Sequence, residues 1–352
     1  MNFLTFSSFH KSNYLEFFKA LIHALAFSLR FFYSFYFFLF VVPNNSFAQR
    51  IAFIIATEKE ERYKRDKKFF IDEGKKLGIE IFFGSSDNNQ EKQNELVSKA
   101  VKEGVKAIVI QPVDSFQAKK AVEIAKAQKI PVVAYDRIIY DADVDYYVTH
   151  DSIMVGIVQA RECVNFFKDE KRVVVISGGK NHSVAKQITT GNLMILEKHP
   201  NVKILGIYYH EGWDEKESYT TLKNLLKTEK NISCVLANNS SLARGSIRAL
   251  EEEGIDTKKI FVAGADADLP NIKLLLQEKQ KLEILKDIEP LARTAVRVAY
   301  EIINGKQPSS QTTLNNGKVD VKVINIPVEV IKKDNIDILI KKGFHKKEDI
   351  YN

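Results

Sequence analysis

From Arg50 onward, short β-branched and aromatic runs alternate with longer amphipathic stretches, and this alternation restricts the fold more than any other feature of the chain. The strand-like runs are Ile51–Ala56, Ile79–Phe83, Ala107–Ile110 and Val132–Tyr135. After a break follow Tyr146–Val148, Val173–Ile176, Val202–Ile207, Cys234–Leu236, Ile260–Ala263 and Leu282–Leu285. Between them, segments such as Asn89–Glu103, Ser115–Gln128, Lys216–Thr228 and Ser241–Glu253 carry helical apolar spacing. Such alternation makes βαβ units, whose sheets are mostly parallel and covered on both faces. Ten runs are too many for one compact doubly wound sheet, so the expected fold class is α/β with two such lobes. The first is expected to hold residues 49–147 and 287–318, the second 148–286 and 319–352. Pro290–Asn304 reads as a helix, Gly305–Gly317 as a loop, Val319–Val330 as a strand and Asn335–Lys342 as a short helix. Their place after two complete lobes implies that the chain crosses back, forming a multi-crossover hinge.

Residues 1–48 differ in kind. They hold 13 of the 23 Phe, and Lys11, Lys19, Arg30 and Glu16 are their only Lys, Arg, Asp or Glu. The uncharged run Phe31–Val42 precedes Pro43 and then Ser46-Phe47-Ala48, which reads as a secretory signal cleaved after Ala48 and a periplasmic destination. The competing reading is an uncleaved anchor over residues 20–42, opposed by Arg30 at its centre. The remaining chain carries 49 Lys+Arg against 44 Asp+Glu, mixed along its length, which argues against a nucleic-acid partner. The two cysteines, Cys163 and Cys234, read as buried free thiols rather than a disulfide.

Open α/β sheets bind ligands outside the carboxyl ends of their strands. Here those ends lead into Arg62-Tyr63, Asp136-Arg137, His150-Asp151, Gly178-Gly179-Lys180-Asn181-His182, Trp213, Asn238-Asn239-Ser240, Asp266-Ala267-Asp268 and Lys286-Asp287. Carboxylates, amides, cations and aromatics in that mixture suit a neutral polyol, whose hydroxyls accept and donate and whose C–H face covers an aromatic ring. No Walker or G-x-G-x-x-G loop follows a strand, which argues against phosphate binding. Plainer roles compete: Asp268 reads as a helix N-cap, Asn239 or Ser240 equally so, Asp136 and Arg137 as a surface ion pair, and Lys286 as a solvated cation. Trp213 in a polar turn is harder to assign to structure alone. His182 lacks a suitably spaced second ligand, so neither a metal nor a cofactor is expected. Without G-x-S-x-G, H-E-x-x-H or C-x-x-C, catalysis is disfavoured.

Several segments together resemble the periplasmic D-xylose-binding proteins of bacterial ABC importers, within the type I sugar-binding group, over residues 50–350. They are Glu61-Arg62-Tyr63-x-x-Asp66, Ala134-Tyr135-Asp136-Arg137-x-x-x-Asp141-Ala142-Asp143, Gly212-Trp213, Gly264-x-Asp266-Ala-Asp268-Leu269, Thr312–Gly317 and Gly343-Phe-His-Lys346. The resemblance implies a monomeric two-lobed receptor that closes on one monosaccharide and hands it to a membrane permease. It implies Arg62, Tyr63, Asp136, Arg137, Trp213, Asn239, Asp266 and Lys286 as ligand-binding residues. Three positions depart from the family pattern. His182-Ser-Val-Ala185 stands where the family has Asp-Asn-Asn-Ala, Asn239-Ser240 where it has Asn-Asp, and Ala265 where it has Gln. The alternative is the same module as a sensor signalling to a membrane histidine kinase or chemoreceptor. A sugar-responsive repressor is disfavoured, because no DNA-binding headpiece precedes residue 50.

Overall fold

A computed structural model describes residues 49–59 and 61–352; the expected signal segment, residues 1–48, lies outside the described residues. Strand β1 (Arg50–Ile55) shows the rule on which the molecule is built. Ala52 and Ile54 enter one core, while Ile51, Phe53 and Ile55 enter another on the opposite face. Side chains alternate across a strand, so an unbroken apolar run requires helices on both faces.

Helix α1 (Glu61–Lys76) follows β1 and lays Phe70 flat on Phe53, ring centroids 3.9 Å apart. The first half continues through β2 (Glu80–Ser85), α2 (Gln90–Lys102), β3 (Ala107–Ile110), α3 (Lys119–Lys126), β4 (Val132–Tyr135) and β5 (Tyr146–His150). The second half runs through α4 (Ser152–Phe166), β6 (Lys171–Gly178), α5 (Ser183–Leu196), β7 (Val202–His210), α6 (Glu215–Leu225), β8 (Cys234–Ala237), α7 (Ser240–Glu252), β9 (Phe261–Ala265), α8 (Leu269–Leu276) and β10 (Leu282–Leu285). Then come α9 (Ile288–Ile303), β11 (Thr312–Asn315), β12 (Asp320–Ile326), β13 (Glu329–Ile331), α10 (Asp337–Lys341) and α11 (Lys347–Tyr351). The strands form two sheets, ordered β11-β12-β5-β4-β3-β1-β2 and β13-β10-β9-β8-β6-β7. Each is parallel except at the edge strand supplied by the C-terminal region. The α/β class with two doubly wound lobes is as expected.

The lobe boundaries differ at two points. β5 extends to His150 and pairs with β4 in the first sheet, past the expected break at 147. The run Val319–Val330 is not one strand of the second lobe. Its first part, β12, lies parallel to β5 in the first sheet, whereas β13 pairs antiparallel with β10 in the second. Pro327 stands between them; a proline has no N–H for a ladder, so the run divides there and the chain changes sheets. The expected loop 305–317 also holds a strand, β11, which makes a hairpin with β12 through residues 316–319, Gly317 taking φ +95°. The chain therefore passes between sheets three times, after β5, after β10 and after β12. Lys342 ties the last two passages, pairing with Asp287 at 3.1 Å and Glu329 at 2.6 Å.

The cysteines are a correction. Cys163 on α4 and Cys234 on β8 form a disulfide, with Cα atoms 6.2 Å apart and both residues fully buried. α4 packs on the sheet face formed by β8 and β9, which sets the two sulfurs opposite each other.

Candidate functional site: the carboxyl ends of two sheets

In both sheets the strand order reverses at one point, between β1 and β3 in the first and between β6 and β8 in the second. Helices on either side of such a point diverge and leave a crevice. The side chains following these four strands and their neighbours β4, β7, β9 and β10 form the candidate site.

At the first sheet, Arg62 enters from the first turn of α1. Its Nη2 lies 3.3 Å from Asp136 Oδ1 and its Nε 3.6 Å from Asp66 Oδ2, but neither contact is aligned as a hydrogen bond. Asp66 is fully buried and accepts from Tyr135 Oη. Burial lifts its carboxyl to about 6, even with Arg62 beside it. Asp136 goes the other way. Burial would raise it, but Arg62 and Arg137 outweigh burial and hold it well below the usual carboxylate range. Gln111, after β3, donates to Asp136 Oδ2 at 3.0 Å. Arg137 donates to Pro112 O at 3.2 Å and to Tyr63 Oη at 3.3 Å. Asp136 thus pairs with Arg62 inside the crevice rather than with Arg137 on the surface.

At the second sheet, Asp266 and Lys286 meet at 2.7 Å, with Lys286 93% buried. Trp213 lies against Gly178 so closely that a Cβ there would fall 2.1 Å from the indole. The backbone of Trp213 is held by His210 O, which accepts its N–H, and by Asn239 Nδ2, which donates to its carbonyl at 3.3 Å. Asn239 also caps α7, its Oδ1 accepting from Leu242 N. Ser240 points away from the crevice, toward Ala265 O and the buried Glu283. Asp268 occupies the N-cap position of α8 without capping it, because its carboxylate pairs with Arg244 at 3.1 Å.

Three of the eight residues singled out from sequence, Asp136, Trp213 and Asp266, have φ of +64°, +56° and +102°. Non-glycine residues there store backbone strain, which persists where the surroundings fix it and clusters at binding sites. At Asp136 the surroundings are visible: its N–H donates to Val148 O and its carbonyl accepts from Tyr147 Oη and Thr149 Oγ1.

The two halves act on one another electrostatically. Arg62 feels Asp266, and Asp136 feels Lys286. Buried polar atoms without a protein hydrogen-bond partner concentrate here: Arg62 Nε and Nη2, Asp66 Oδ2, Arg137 Nε, His182 Nδ1, Ser183 Oγ and Asn238 Nδ2. Buried polar atoms short of a hydrogen bond are costly, and the ones gathered at these strand ends are ones that a polar ligand could satisfy. Sequence reasoning quoted Asp66, Ser183 and Asn238 without giving them a ligand-binding role, and it did not name Gln111, whose donation to Asp136 follows only from its place after β3. Among the described residues, no three His, Cys, Asp or Glu gather to hold a metal ion, and no helix is long and apolar enough to cross a membrane.

Two doubly wound lobes, joined by three passages and facing each other with polar strand ends, define a bilobed binding protein of type I. Residues 51–307 match the periplasmic binding protein domain, and the chain belongs to that family. It is 32% identical over 306 residues to a D-xylose-binding periplasmic protein of Escherichia coli K12, covering 86% of this chain and 92% of that one. It is 29% identical over 297 residues to a D-xylose-binding periplasmic protein of Haemophilus influenzae, covering 83% and 89%. Among solved structures, a carbohydrate transporter solute-binding protein from Chloroflexus aurantiacus in complex with D-glucose superposes with a TM-score of 0.77 at 26% identity, covering 86% of this chain and 98% of that one.

Proposed function

We propose that this protein captures a monosaccharide between its two lobes and delivers it to the membrane permease of an ABC importer, without chemical conversion. The observation that carries the reading is the gathering, at the strand ends of both sheets, of buried N–H and oxygen atoms that lack an aligned hydrogen-bond partner, beside a single Trp. A neutral polyhydroxylated ring suits that set, since each hydroxyl can accept from a cation and donate to a carboxylate. The relatives named for xylose and the glucose complex point to the same ligand class.

In this reading Arg62, Tyr63, Asp136 and Arg137 hold the ligand from the first lobe, and Trp213, Asn239, Asp266 and Lys286 from the second. Trp213 and Tyr63 present apolar ring surface to the sugar's C–H groups. The three passages serve as hinge, and ligand bridging both lobes stabilises the closed form. Closure then creates a composite surface for the permease. Residues 1–48 act as the export signal, and the mature protein works as a periplasmic monomer. Calorimetric titration with xylose, glucose, ribose, arabinose and galactose tests the reading. One saturable isotherm is expected with at least one sugar, lost in Asp136→Ala; heat-silent titrations throughout would refute it.

A further inference from the structure

One residue in the crevice has chemistry that the eight site residues do not use. His182 ends the β6–α5 turn, at the N-cap position of α5, and its side chain makes no capping bond. Its ring instead stands edge-on to Trp213, centroids 4.9 Å apart and planes at 68°. Its Nδ1 is buried without a hydrogen-bond partner, and so is Oγ of the adjoining Ser183, a residue only 1% exposed. A buried ring nitrogen edge-on to Trp213, followed directly by a residue whose buried hydroxyl is also unsatisfied, has the chemistry of a ligand contact.

We propose that His182, with Ser183 beside it, is a specificity-determining ligand contact of the second lobe, and that it engages the sugar as a neutral imidazole. This rests on the monosaccharide reading above. The groups facing the ring come from every side of the crevice: Arg62 from α1, Asp136 and Arg137 after β4, Lys286 after β10 and Trp213 after β7. Burial together with the cations Arg137, Lys286 and Arg62 drives its pKa down to about 3, against the pull of Asp136. In an open form, with the first-lobe cations withdrawn and water admitted, the same imidazole returns toward its ordinary value near 6.5. Closing on ligand must then expel any proton the open form holds. Affinity is therefore constant above about pH 6.5 and falls below it, by up to about tenfold per pH unit. A single ring nitrogen that can donate or accept, according to tautomer, lets His182 select which hydroxyl configuration is read.

The test measures sugar affinity of the full protein from pH 5 to 8 by calorimetry for the wild type, His182→Phe and His182→Asn. Phe keeps an aromatic edge against Trp213 but has no nitrogen; Asn restores a polar group that does not titrate. The expected result is about tenfold weaker binding at pH 7.5 in His182→Phe. Partial recovery in His182→Asn with an altered rank order of sugars is expected, and loss of the acid-side fall in both. Wild-type affinity and an unchanged pH profile in His182→Phe would overturn the proposal while leaving sugar binding intact. Weakened binding with the acid-side fall retained in both variants would also overturn it, because His182 would then only seat Trp213. A wild-type protein that binds no sugar removes the reading itself, and the proposal with it.

Discussion

Lys286 Nζ and Asp266 Oδ1 close an ion pair of 2.7 Å across the adjacent carboxyl ends of β10 and β9. The pair sets a cation and a carboxylate side by side at the floor of the second lobe, where one hydroxyl can accept from the first and donate to the second. Lys286→Met removes the cation, keeps much of the apolar stem and leaves Asp266 partly exposed to water. Sugar affinity is expected to fall by roughly 10- to 150-fold, corresponding to about 1.5–3 kcal/mol for a hydrogen bond to a charged group, with little change in unfolding midpoint. Unaltered affinity on titration would remove Lys286 from the site.

Arg62 is shared between Asp66 and Asp136, so its removal leaves two buried carboxylates facing each other. Arg62→Ala is expected to abolish measurable binding and to cost about 3 kcal/mol of stability in urea unfolding. Arg62→Lys should recover part of the stability but not the binding, because one ammonium cannot sit between two carboxylates and still offer a ligand the fixed, planar set of donors of a guanidinium. Full binding by the lysine variant would show that charge alone suffices.

The Cys163–Cys234 disulfide encloses a loop with a sequence separation of 71. Chain-entropy arguments put its contribution at about 4 kcal/mol. The double variant Cys163→Ala/Cys234→Ala should unfold at markedly lower denaturant, and the native protein should take up no alkylating reagent until it is unfolded and reduced. Immediate alkylation of two thiols in the unfolded, unreduced protein would contradict the pairing.

Glu283 is fully buried, and burial raises its carboxyl to about 8 despite bonds from Gln280 and Ala267 N. The geometry agrees with a neutral acid. Ser240 Oγ lies within 3.0 Å of both Ala265 O and Glu283 Oε2 but has one proton, so the acid supplies the second. A folded-state value above the unfolded value of 4.5 means that the group's contribution to stability is complete below that pH. It is lost as pH rises through 8, at up to about 1.4 kcal/mol per unit. Glu283→Gln should flatten the stability profile between pH 5 and 8 in thermal unfolding; an unchanged slope would place the titrating group elsewhere.

The fold was largely legible in the sequence because strands buried on both faces, such as Ile51–Ile55, need continuous apolar runs, and such runs stand out. Where partnership rather than burial decided, it was not. Val323 and Val330 belong to one alternating stretch, yet they join different sheets, a choice made by Pro327 and by which edge was free. Cys163 and Cys234 looked like ordinary buried thiols, because nothing local shows that α4 crosses β8. In the site, strand-end position brought out Arg62, Asp136, Trp213, Asp266 and Lys286. The left-handed backbone of Asp136, Trp213 and Asp266 left no mark, since none is glycine. The sequence showed His182-Ser183 only as a departure from the family pattern, whereas the structure sets two unsatisfied polar atoms there.

The central claim is tested most directly through Trp213, the only Trp in the chain. Its emission, followed while xylose, glucose, ribose, arabinose and galactose are added in turn, should shift saturably with at least one sugar, and the shift should vanish in Arg62→Ala although that residue lies in the other lobe. No spectral change with any of the five, in a protein that melts cooperatively, would contradict capture of a monosaccharide against Trp213.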